Sequence, residues 1–402
     1  FGGDARMKRR DFRSSFVGFD EATTGSISIN SIDNLSEVLS QQNVDNGLLN
    51  INVQPDDFYD AELTSFAGFV DFVGIFGAFT AEVGLRFQSD EIDVNFDVGN
   101  FIDPATGQAR TGNSNLSYER LYPAINLKYD LNDKSALRLA GSLSQTLPEF
   151  KEIAPFQYVS PIGQVTRGNT LLEASTNLNI DLKYEFFPSS EELLSVTAFY
   201  KNIKNPINRS LALGGEDLFS YFNTSDEARA FGIELEGKIY VVPVSENKPN
   251  LKLAGNISYI KHEQDLRSDG SNLNGSPRTF RYRGIEKIGL QGASDWTTNM
   301  SINLSTGGEF PYQFTLAGNY ASDRIFSIGA PRNQNQPDVF FNGEIIEKGV
   351  VVVDFIFNKE INEHLSVGLS AKNLLNPVVE RFQLVSSDQG QSSATEERTV
   401  LT

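Results

Sequence analysis

Apolar and polar residues alternate along much of the chain. Between Leu178 and Phe186, every even-numbered residue is apolar and every odd-numbered residue is polar or charged. Successive side chains of a strand lie on opposite faces, so this pattern predicts a strand with one apolar and one polar face. A helix would spread the same charges around its whole circumference.

Similar alternation recurs through the sequence. It is found in residues 121–130, 137–147, 231–239, 251–259, 300–304, 312–320, 351–357 and 365–371. Counting such segments gives roughly thirteen strands, many of about ten residues or more, whereas strands of soluble proteins usually have about five or six. A tilted strand needs about ten residues to cross a bilayer. We therefore expect an all-β fold, namely an antiparallel transmembrane β-barrel.

The predicted connections alternate between short and long. The short ones contain Asn, Asp, Gly or Pro, which favour tight turns, at residues 132–134, 188–191, 307–309 and 362–363. The long ones lack strand periodicity and comprise residues 26–60, 100–117, 148–170, 262–284 and 327–343. Outer-membrane barrels have short periplasmic turns and longer outside loops, so we expect all the long connections at one rim.

A soluble β-sandwich or β-propeller also explains the alternation, because its strands have one face in a core and one in water. The strand lengths, the loops at one rim and aromatic residues near strand ends favour a membrane barrel, whose interfaces carry aromatic girdles. The candidate girdle residues are Phe186, Phe187, Phe199, Tyr200, Tyr320, Phe355 and Phe357, with Trp296 as an interfacial anchor. No apolar run is long enough for a membrane-spanning helix.

Charge and composition narrow the possible partners and chemistry. The chain has 34 Lys and Arg against 52 Asp and Glu, a formal net charge of −18, which disfavours nucleic acid as a partner. The absence of cysteine excludes disulfides, thiolate metal sites and cysteine nucleophiles.

Catalytic and cofactor motifs are also missing. The two histidines, His262 and His364, are too few for a three-histidine zinc site, and we expect both to be solvated in a loop or turn. The sequence has no nucleophile elbow, P-loop or dinucleotide-binding glycine motif. Acidic pairs at residues 56–57 and 191–192 lack the spacing of a calcium loop. We therefore expect no enzyme activity, no catalytic or metal-binding residues and no cofactor.

Residues 168–177 carry a specific resemblance. Gly168, Asn169, Leu172, Glu173 and Asn177 follow one another as in a passage of TonB-dependent receptor barrels. Residues 147–156 before it and 194–207 after it are similar to the family in the same order. Residues 230–236 resemble its "G-x-E-x-E" strand, and residues 372–377 resemble its "N-L-x-N" stretch, so the resemblance extends from about residue 120 to residue 377.

The resemblance implies a larger protein than this chain. Members of the family carry an N-terminal plug domain and a short motif for an inner-membrane energy-coupling protein, and no part of this sequence resembles either. A complete barrel of this type has about 22 strands. We therefore expect residues 1–402 to be a partial barrel, without the plug and without the closing C-terminal strand, cut at Phe1 and again where a strand begins near Thr399.

Several polar residues of the matching segments have expected structural roles. Glu173 and Asn177 lie where a loop leads into a strand, and we expect them to bind backbone groups there. Glu234 and Glu236 share a strand face with Lys238 and are expected to face a wet lumen rather than to act as an acid–base pair.

Two functions remain open at this stage. The resemblance implies an outer-membrane receptor of a Gram-negative bacterium that takes up a scarce nutrient, such as a metal chelate, a vitamin, a glycan or a peptide. Its partners would be outer-membrane lipid, that nutrient and a TonB-type protein. The alternative is a structural or adhesive surface protein without transport. In either case we expect lipid contact for Leu178, Ile180, Leu182, Tyr184 and Phe186, and a lumenal position for Asn179, Asp181, Lys183 and Glu185.

Overall fold

The structure is a computed structural model. It describes residues 1–401 except 16, 22–34, 54, 103–108, 162, 212–217, 243–247, 269–277, 282–284, 331, 334–339 and 388–394. Within these residues the elements, in chain order, are β1 (Gly2–Ser14), β2 (Val17–Glu21), α1 (Leu35–Val38), α2 (Gln41–Asp45), β3 (Leu49–Val53), β4 (Asp57–Phe76), β5 (Phe79–Ile102), β6 (Ala109–Asn132), β7 (Ser135–Thr146), α3 (Phe150–Ile153), β8 (Gln157–Val159), β9 (Val165–Arg167), β10 (Ser175–Phe186), β11 (Leu193–Lys204), β12 (Ile207–Leu211), β13 (Leu218–Asn223), β14 (Ser225–Val242), β15 (Asn250–Leu266), β16 (Arg278–Thr279), β17 (Lys287–Ile288), β18 (Trp296–Ser305), β19 (Tyr312–Ala321), β20 (Arg324–Ser327), β21 (Arg332–Asn333), β22 (Phe340–Glu347), β23 (Val350–Asn362), β24 (Leu365–Ala371), β25 (Arg381–Ser387) and β26 (Thr395–Leu401). Among the described residues, no helix has the length and hydropathy needed to cross a membrane.

One antiparallel sheet, which we call the wall, dominates the molecule. Thirteen strands follow one another in the order β1-β4-β5-β6-β7-β10-β11-β14-β15-β18-β19-β23-β24, and β17 pairs with β15 as a fourteenth. This confirms the predicted antiparallel fold and the count of about thirteen strands. In the described part of the chain β1 and β24 do not pair with each other, so the wall is open along these two edges.

The register confirms that the two residue sets of β10 lie on opposite faces. Ile180 pairs with Tyr200 of β11, which pairs with Phe231 of β14, and this face is largely exposed. On the other face, Lys183 pairs with Thr197 and then with Glu234. We call the apolar face outer and the polar face inner. Contact of the outer face with lipid stays a prediction.

Phe199 contradicts the predicted aromatic girdle. It pairs with Asp181 and with Gly232, so its ring lies on the inner face. A Cβ atom on Gly232 would lie 2.7 Å from Cζ of Phe199, which shows how closely the ring covers that glycine. Trp296 does lie at a strand start, and its ring is 4.7 Å from that of Tyr259 on the outer face.

Several predicted loops are in fact strand. Residues 57–60, 109–117, 262–266 and 340–343 belong to β4, β6, β15 and β22. The reason is visible in β5, where Val83, Leu85 and Phe87 are exposed on the outer face, whereas Ile92 and Val94 are buried on the inner face. The alternation thus reverses its phase near residue 88. A 24-residue strand is roughly 80 Å long, so about half of β5 and β6 extends beyond a bilayer core of about 30 Å.

Segments from the long connections fold onto the inner face and form the cores. Phe150 and Ile153 of α3 are buried against Tyr59 of β4 and Ile92 of β5. A second cluster buries Leu266 of β15 with other side chains, namely Phe222, Phe280, Ile288, Ile325 and Ile328. The extended inner face is apolar here because the inserted segments cover it.

The same connections build a second layer of sheet. Strands β8, β9, β13 and β12 form one four-stranded sheet, and β20, β22, β25 and β26 form another. A parallel bridge between Ser210 and Ile328 joins β12 to the end of β20. We call these eight strands the loop sheet. It links three connections, namely those between β7 and β10, β11 and β14, and β19 and β23, with the segment that follows β24.

Candidate functional site

The connection between β7 and β10, residues 147–174, folds against the inner face, and we call it the clasp. Its helix α3 begins with a capping box, in which the backbone N–H of Glu149 donates to the Glu152 carboxylate at 2.9 Å. The chain then returns past the end of this helix at Gly168. A Cβ atom there would lie only 1.9 Å from the carbonyl oxygen of Ala154, so the close approach requires glycine.

Polar side chains of the clasp and of the strands beside it hold the clasp in place by hydrogen bonds to backbone and side-chain groups. The Asn169 amide donates to the carbonyl oxygen of Tyr221 at 2.9 Å. The Asn205 amide donates to the Glu173 carboxylate at 3.3 Å, and the Asn177 amide to the Thr146 hydroxyl at 3.0 Å. Glu173 and Asn177 thus lie at the entry of β10, as expected, but their side chains bind other side chains rather than the backbone groups that the sequence suggested.

Substitution of Gly168 tests the clasp. We expect Gly168→Ala to weaken it strongly, because the added methyl group meets backbone atoms that no side-chain rotation can move away. Limited proteolysis of membranes from expressing cells should then show faster cleavage within residues 147–174. Gly68→Ala is the matched control, since a Cβ atom at Gly68 has no neighbour within 4 Å. Equal cleavage of the two variants would contradict this role.

Charged residues on the inner face of β7, β10 and β14 form a ladder of ion pairs. Glu185 accepts from Arg138 at 2.7 Å and lies 3.5 Å from the ammonium group of Lys183. Lys183 also lies 3.4 Å from Glu236, which accepts from the Ser195 hydroxyl at 3.2 Å. Glu236 is therefore part of a cross-strand network, as expected for a wet inner face.

A second charged region was not predicted from the sequence. Arg6, Lys8 and Arg10 of β1 pair with Ser65, Leu63 and Ala61, which place them on the same face as the buried residues of β4 and β5. Arg86 of β5 and Arg120 of β6 lie on this face too. We call these five cations the basic face. Within the described residues, only Arg86 has an ion pair, with Asp4 at 3.2 Å.

The basic face borders a cavity of about 550 Å³ beneath α3. Its lining combines cations with apolar and amide side chains, among them Arg6, Lys8, Arg86, Gln145, Leu147 and Phe150. The ammonium group of Lys8 lies 5.1 Å from the centre of the Phe150 ring. This size falls within the range of about 300–1,000 Å³ that is usual for small-molecule pockets.

Arginine side chains also connect the two four-stranded sheets that make up the loop sheet. The Phe326 ring lies between the guanidinium groups of Arg209 and Arg381, whose central carbons are 3.7 and 3.5 Å from the ring centre. Glu347 accepts from Arg381 at 2.7 Å and from Arg324 at 2.9 Å. Burial opposes the charge of Glu347, but these hydrogen bonds outweigh it and hold its pKa below the ordinary value of 4.5.

The sign of this pKa shift predicts how acid affects the loop sheet. A carboxyl group whose pKa is lower in the folded state stabilises that state above its ordinary pKa, and the contribution is lost as the pH falls through the folded value. We expect the hydrogen-exchange protection factors of β22 and β25, corrected for the intrinsic exchange rate at each pH, to fall below about pH 4.5.

Substitution of Glu347 should reproduce the acid effect at neutral pH. Glu347→Gln weakens the four hydrogen bonds that the carboxylate accepts from Arg324 and Arg381. A hydrogen bond to a charged group is worth about 1.5–3 kcal/mol. The control is Glu380→Gln, which removes an exposed carboxylate that lies 3.3 Å from Lys348. Unchanged exchange in β22 and β25 of the Glu347 variant would refute the role of this contact.

The two histidines and the two acidic pairs are the remaining residues that the sequence analysis considered. His364 lies in a turn, as expected. The expectation for His262 was wrong, because this residue lies in β15, and its side chain is only 8% exposed and accepts from the backbone N–H of Leu290 at 2.9 Å. Asp57 accepts from the backbone of Gly99, and Glu192 from that of Tyr240. In the described part of the chain, no group of three or more acidic or histidine side chains is placed to hold a metal ion.

Two solved structures share this fold. The ferric yersiniabactin uptake receptor FyuA from Yersinia pestis has 14% identity and a TM-score of 0.52, over 87% of this chain and 47% of its own. The ferric-catecholate import receptor Fiu from E. coli K12 has 12% identity and a TM-score of 0.51, over 99% of this chain and 51% of its own. This chain therefore spans about half the length of each.

Identities of 12–14% show a shared fold but not the family of the chain, which a family model identifies. No curated protein sequence matches the chain. The model described as "TonB dependent receptor-like, beta-barrel" matches residues 4–374, which is most of the sequence. This family consists of receptors rather than enzymes, in agreement with the function expected from the sequence. The chain belongs to the TonB-dependent receptor β-barrel family.

Proposed function

We propose that this chain is part of an outer-membrane receptor that takes up an iron chelate with energy supplied through a TonB-type protein. The family match carries the proposal. Both solved structures that share the fold are described as receptors for ferric chelates, which makes such chelates the first substrates to test. The receptor would lie in the outer membrane of a Gram-negative bacterium.

The two faces of the wall support this function. The outer face carries apolar side chains such as Ile180, Leu182 and Leu235, which are suited to lipid. The inner face of β18 carries Thr297, Asn299, Ser301 and further polar residues, which are suited to water and a polar solute. The clasp and the loop sheet add a layer at one rim that a solute meets first.

We further propose that residues 1–402 form only part of the barrel. The wall is open at β1 and β24, and the two related structures are about twice as long as the matched region. The remaining residues of the receptor would supply the closing strands, the plug and the contact with the TonB-type protein.

The function is tested by uptake of radioactive iron. A strain that lacks the complete gene should fail to take up one class of ferric chelate, and the gene in trans should restore uptake. Dissipating the proton gradient or removing the TonB-type protein should abolish the restored uptake. Unchanged uptake of every ferric chelate would reject the proposal in favour of another nutrient or of a structural role.

A further inference from the structure

We propose that His262 is a pH-sensitive anchor, which holds one long connection against the wall at neutral pH and loosens it in acid. The anchored segment is residues 285–295 of the connection between β15 and β18, which we call the strap. The inference goes beyond the proposed function, because it concerns a response to acidity and applies whichever solute the receptor takes up.

The strap is bound to the uncharged form of the His262 ring. Nδ1 of the ring accepts from the backbone N–H of Leu290 at 2.9 Å, and a ring nitrogen can accept a hydrogen bond only when it carries no proton. Protonation turns Nδ1 into a donor, so that two N–H groups would face each other. The contact with the strap therefore exists only while the ring is neutral.

The strap also shields the ring from water. A Cβ atom on Gly289 would lie 3.0 Å from Cε1 of His262, which shows how closely the backbone covers the ring. His262 lies beyond the row of Tyr259 and Trp296, the expected membrane interface, so burial here is by protein. This burial lowers the pKa of His262 below its ordinary value of 6.5, and the carboxylate of Asp295 offsets the effect only in part.

Asp295 is too exposed to hold a protonated ring in place. Among the described residues it is the one carboxylate within ion-pair distance of His262, 3.3 Å from Nε2. Its side chain is 65% exposed, so water screens its charge. Nε2 itself makes no hydrogen bond within the described part of the chain. Asp295 therefore cannot replace the lost contact with Leu290.

The other charged side chains near the strap do not favour a protonated ring either. Lys201 of β11 lies on the inner face in the same row as the ring, and Arg209 and Arg324 lie beside the strap, so these three groups are cations. Glu286 of the strap lies 3.5 Å from Arg281 and is thus engaged. The remaining charged neighbours are on the outer face, namely Arg229, Lys261, Glu263, Asp265 and Lys287.

The strap connects the wall to the loop sheet. The side chain of Gln291 accepts from the backbone N–H of Arg209 in β12 at 2.6 Å and donates to the carbonyl oxygen of Phe326 in β20 at 2.6 Å. It thus binds both strands at which the two four-stranded sheets of the loop sheet meet. Because Leu290 directly precedes Gln291, loss of the anchor loosens this joint as well.

The sign of the pKa shift fixes the range of pH over which the anchor weakens. A histidine whose pKa is lower in the anchored state takes up its proton first when the strap is loose. Anchoring is therefore full above 6.5 and declines as the pH falls from 6.5 to the pKa of the anchored state. The amide of Gln264 does not titrate and donates to the carbonyl oxygen of Gly289 at 2.9 Å, so the strap loosens without leaving the wall.

The test is hydrogen exchange of the complete receptor in detergent at about pH 7.5 and about pH 5, on either side of the ordinary pKa of histidine. Protection factors are corrected for the intrinsic exchange rate at each pH. His262→Asn keeps an acceptor close to the position of Nδ1 but does not titrate, whereas His262→Ala removes the acceptor. His364→Asn is the matched control, because this histidine is exposed in a turn. Heat-modifiable mobility confirms that each variant folds.

We expect the protection of residues 286–293 and of the Arg209 amide to fall in acid in the unmodified receptor and in the His364 variant. The fall should be about tenfold for every pH unit that separates the two pKa values of His262. His262→Asn should stay protected at both pH values, and His262→Ala should be poorly protected at both. Protection of the unmodified receptor that does not change with pH, or an equal fall in His262→Asn, would overturn the proposal. Because no solute is present, the result is independent of the iron-uptake test.

Discussion

Residues 1–402 on their own are expected to aggregate or misfold when refolded in detergent or liposomes. The wall ends at β1 and β24, and each of these edge strands has a row of backbone N–H and C=O groups without a strand partner in the wall. In lipid each such group costs several kcal/mol, because no water replaces the missing hydrogen bond. The 13 residues of β1 alone make this the largest effect that we predict.

The measurement is electrophoretic heat-modifiability together with solute flux into liposomes. The complete receptor, refolded in parallel, is the positive control and should give a compact band that shifts on heating. A heat-modifiable monomer formed by residues 1–402 alone would show that the two edges can close on each other. It would also contradict the proposal that further strands complete this barrel.

A single charge on the outer face should also destabilise the receptor strongly. Leu182 lies near the middle of β10 with its side chain exposed on the outer face, paired with Ala198 and Leu139. In the membrane, we expect Leu182→Arg to cost about 2–4 kcal/mol, the range for arginine on the lipid face near the bilayer midplane. The result would test the predicted lipid contact of this face directly.

Asn179→Arg provides the matched control. It adds the same charge to the same strand, but Asn179 lies on the inner face, where it pairs with Lys201 and Ser142 in a polar environment. Urea titration of the folded fraction in liposomes should show a large loss for the Leu182 variant and a small one for the control. Equal losses would mean that the two faces do not differ in their surroundings.

The clasp and the basic face differ in how their side chains are engaged. In the clasp, Gly168, Asn169 and Glu173 are engaged with the protein itself, so the segment with the clearest family resemblance has a structural role. At the basic face, by contrast, Arg6 and Lys8 have no ion pair among the described residues.

The sequence by itself determined the wall. Alternation with a period of two is a local property, because neighbouring residues of a strand must lie on opposite faces whatever the rest of the chain does. It therefore predicted the strands, their number and the two faces of β10. It failed at Phe199, because a ring can fill space over Gly232. It also failed at the ends of β4 and β6 beside the long connections, because the apolar residues change to the inner face there.

Only the tertiary structure decided the candidate site. The Ser210 hydroxyl donates to the carbonyl oxygen of Gly329 across 119 residues, and the hydroxyl of Tyr158 to that of Tyr59 across 99. Such contacts depend on which wall strands are neighbours and on how far each connection reaches over the inner face. The sequence of β1 shows several basic residues, but the partners Ser65, Leu63 and Ala61 decide that three of them lie on the inner face, where Arg6 and Lys8 line a cavity. Pairing between distant strands, which no local pattern encodes, therefore placed these charges on one face.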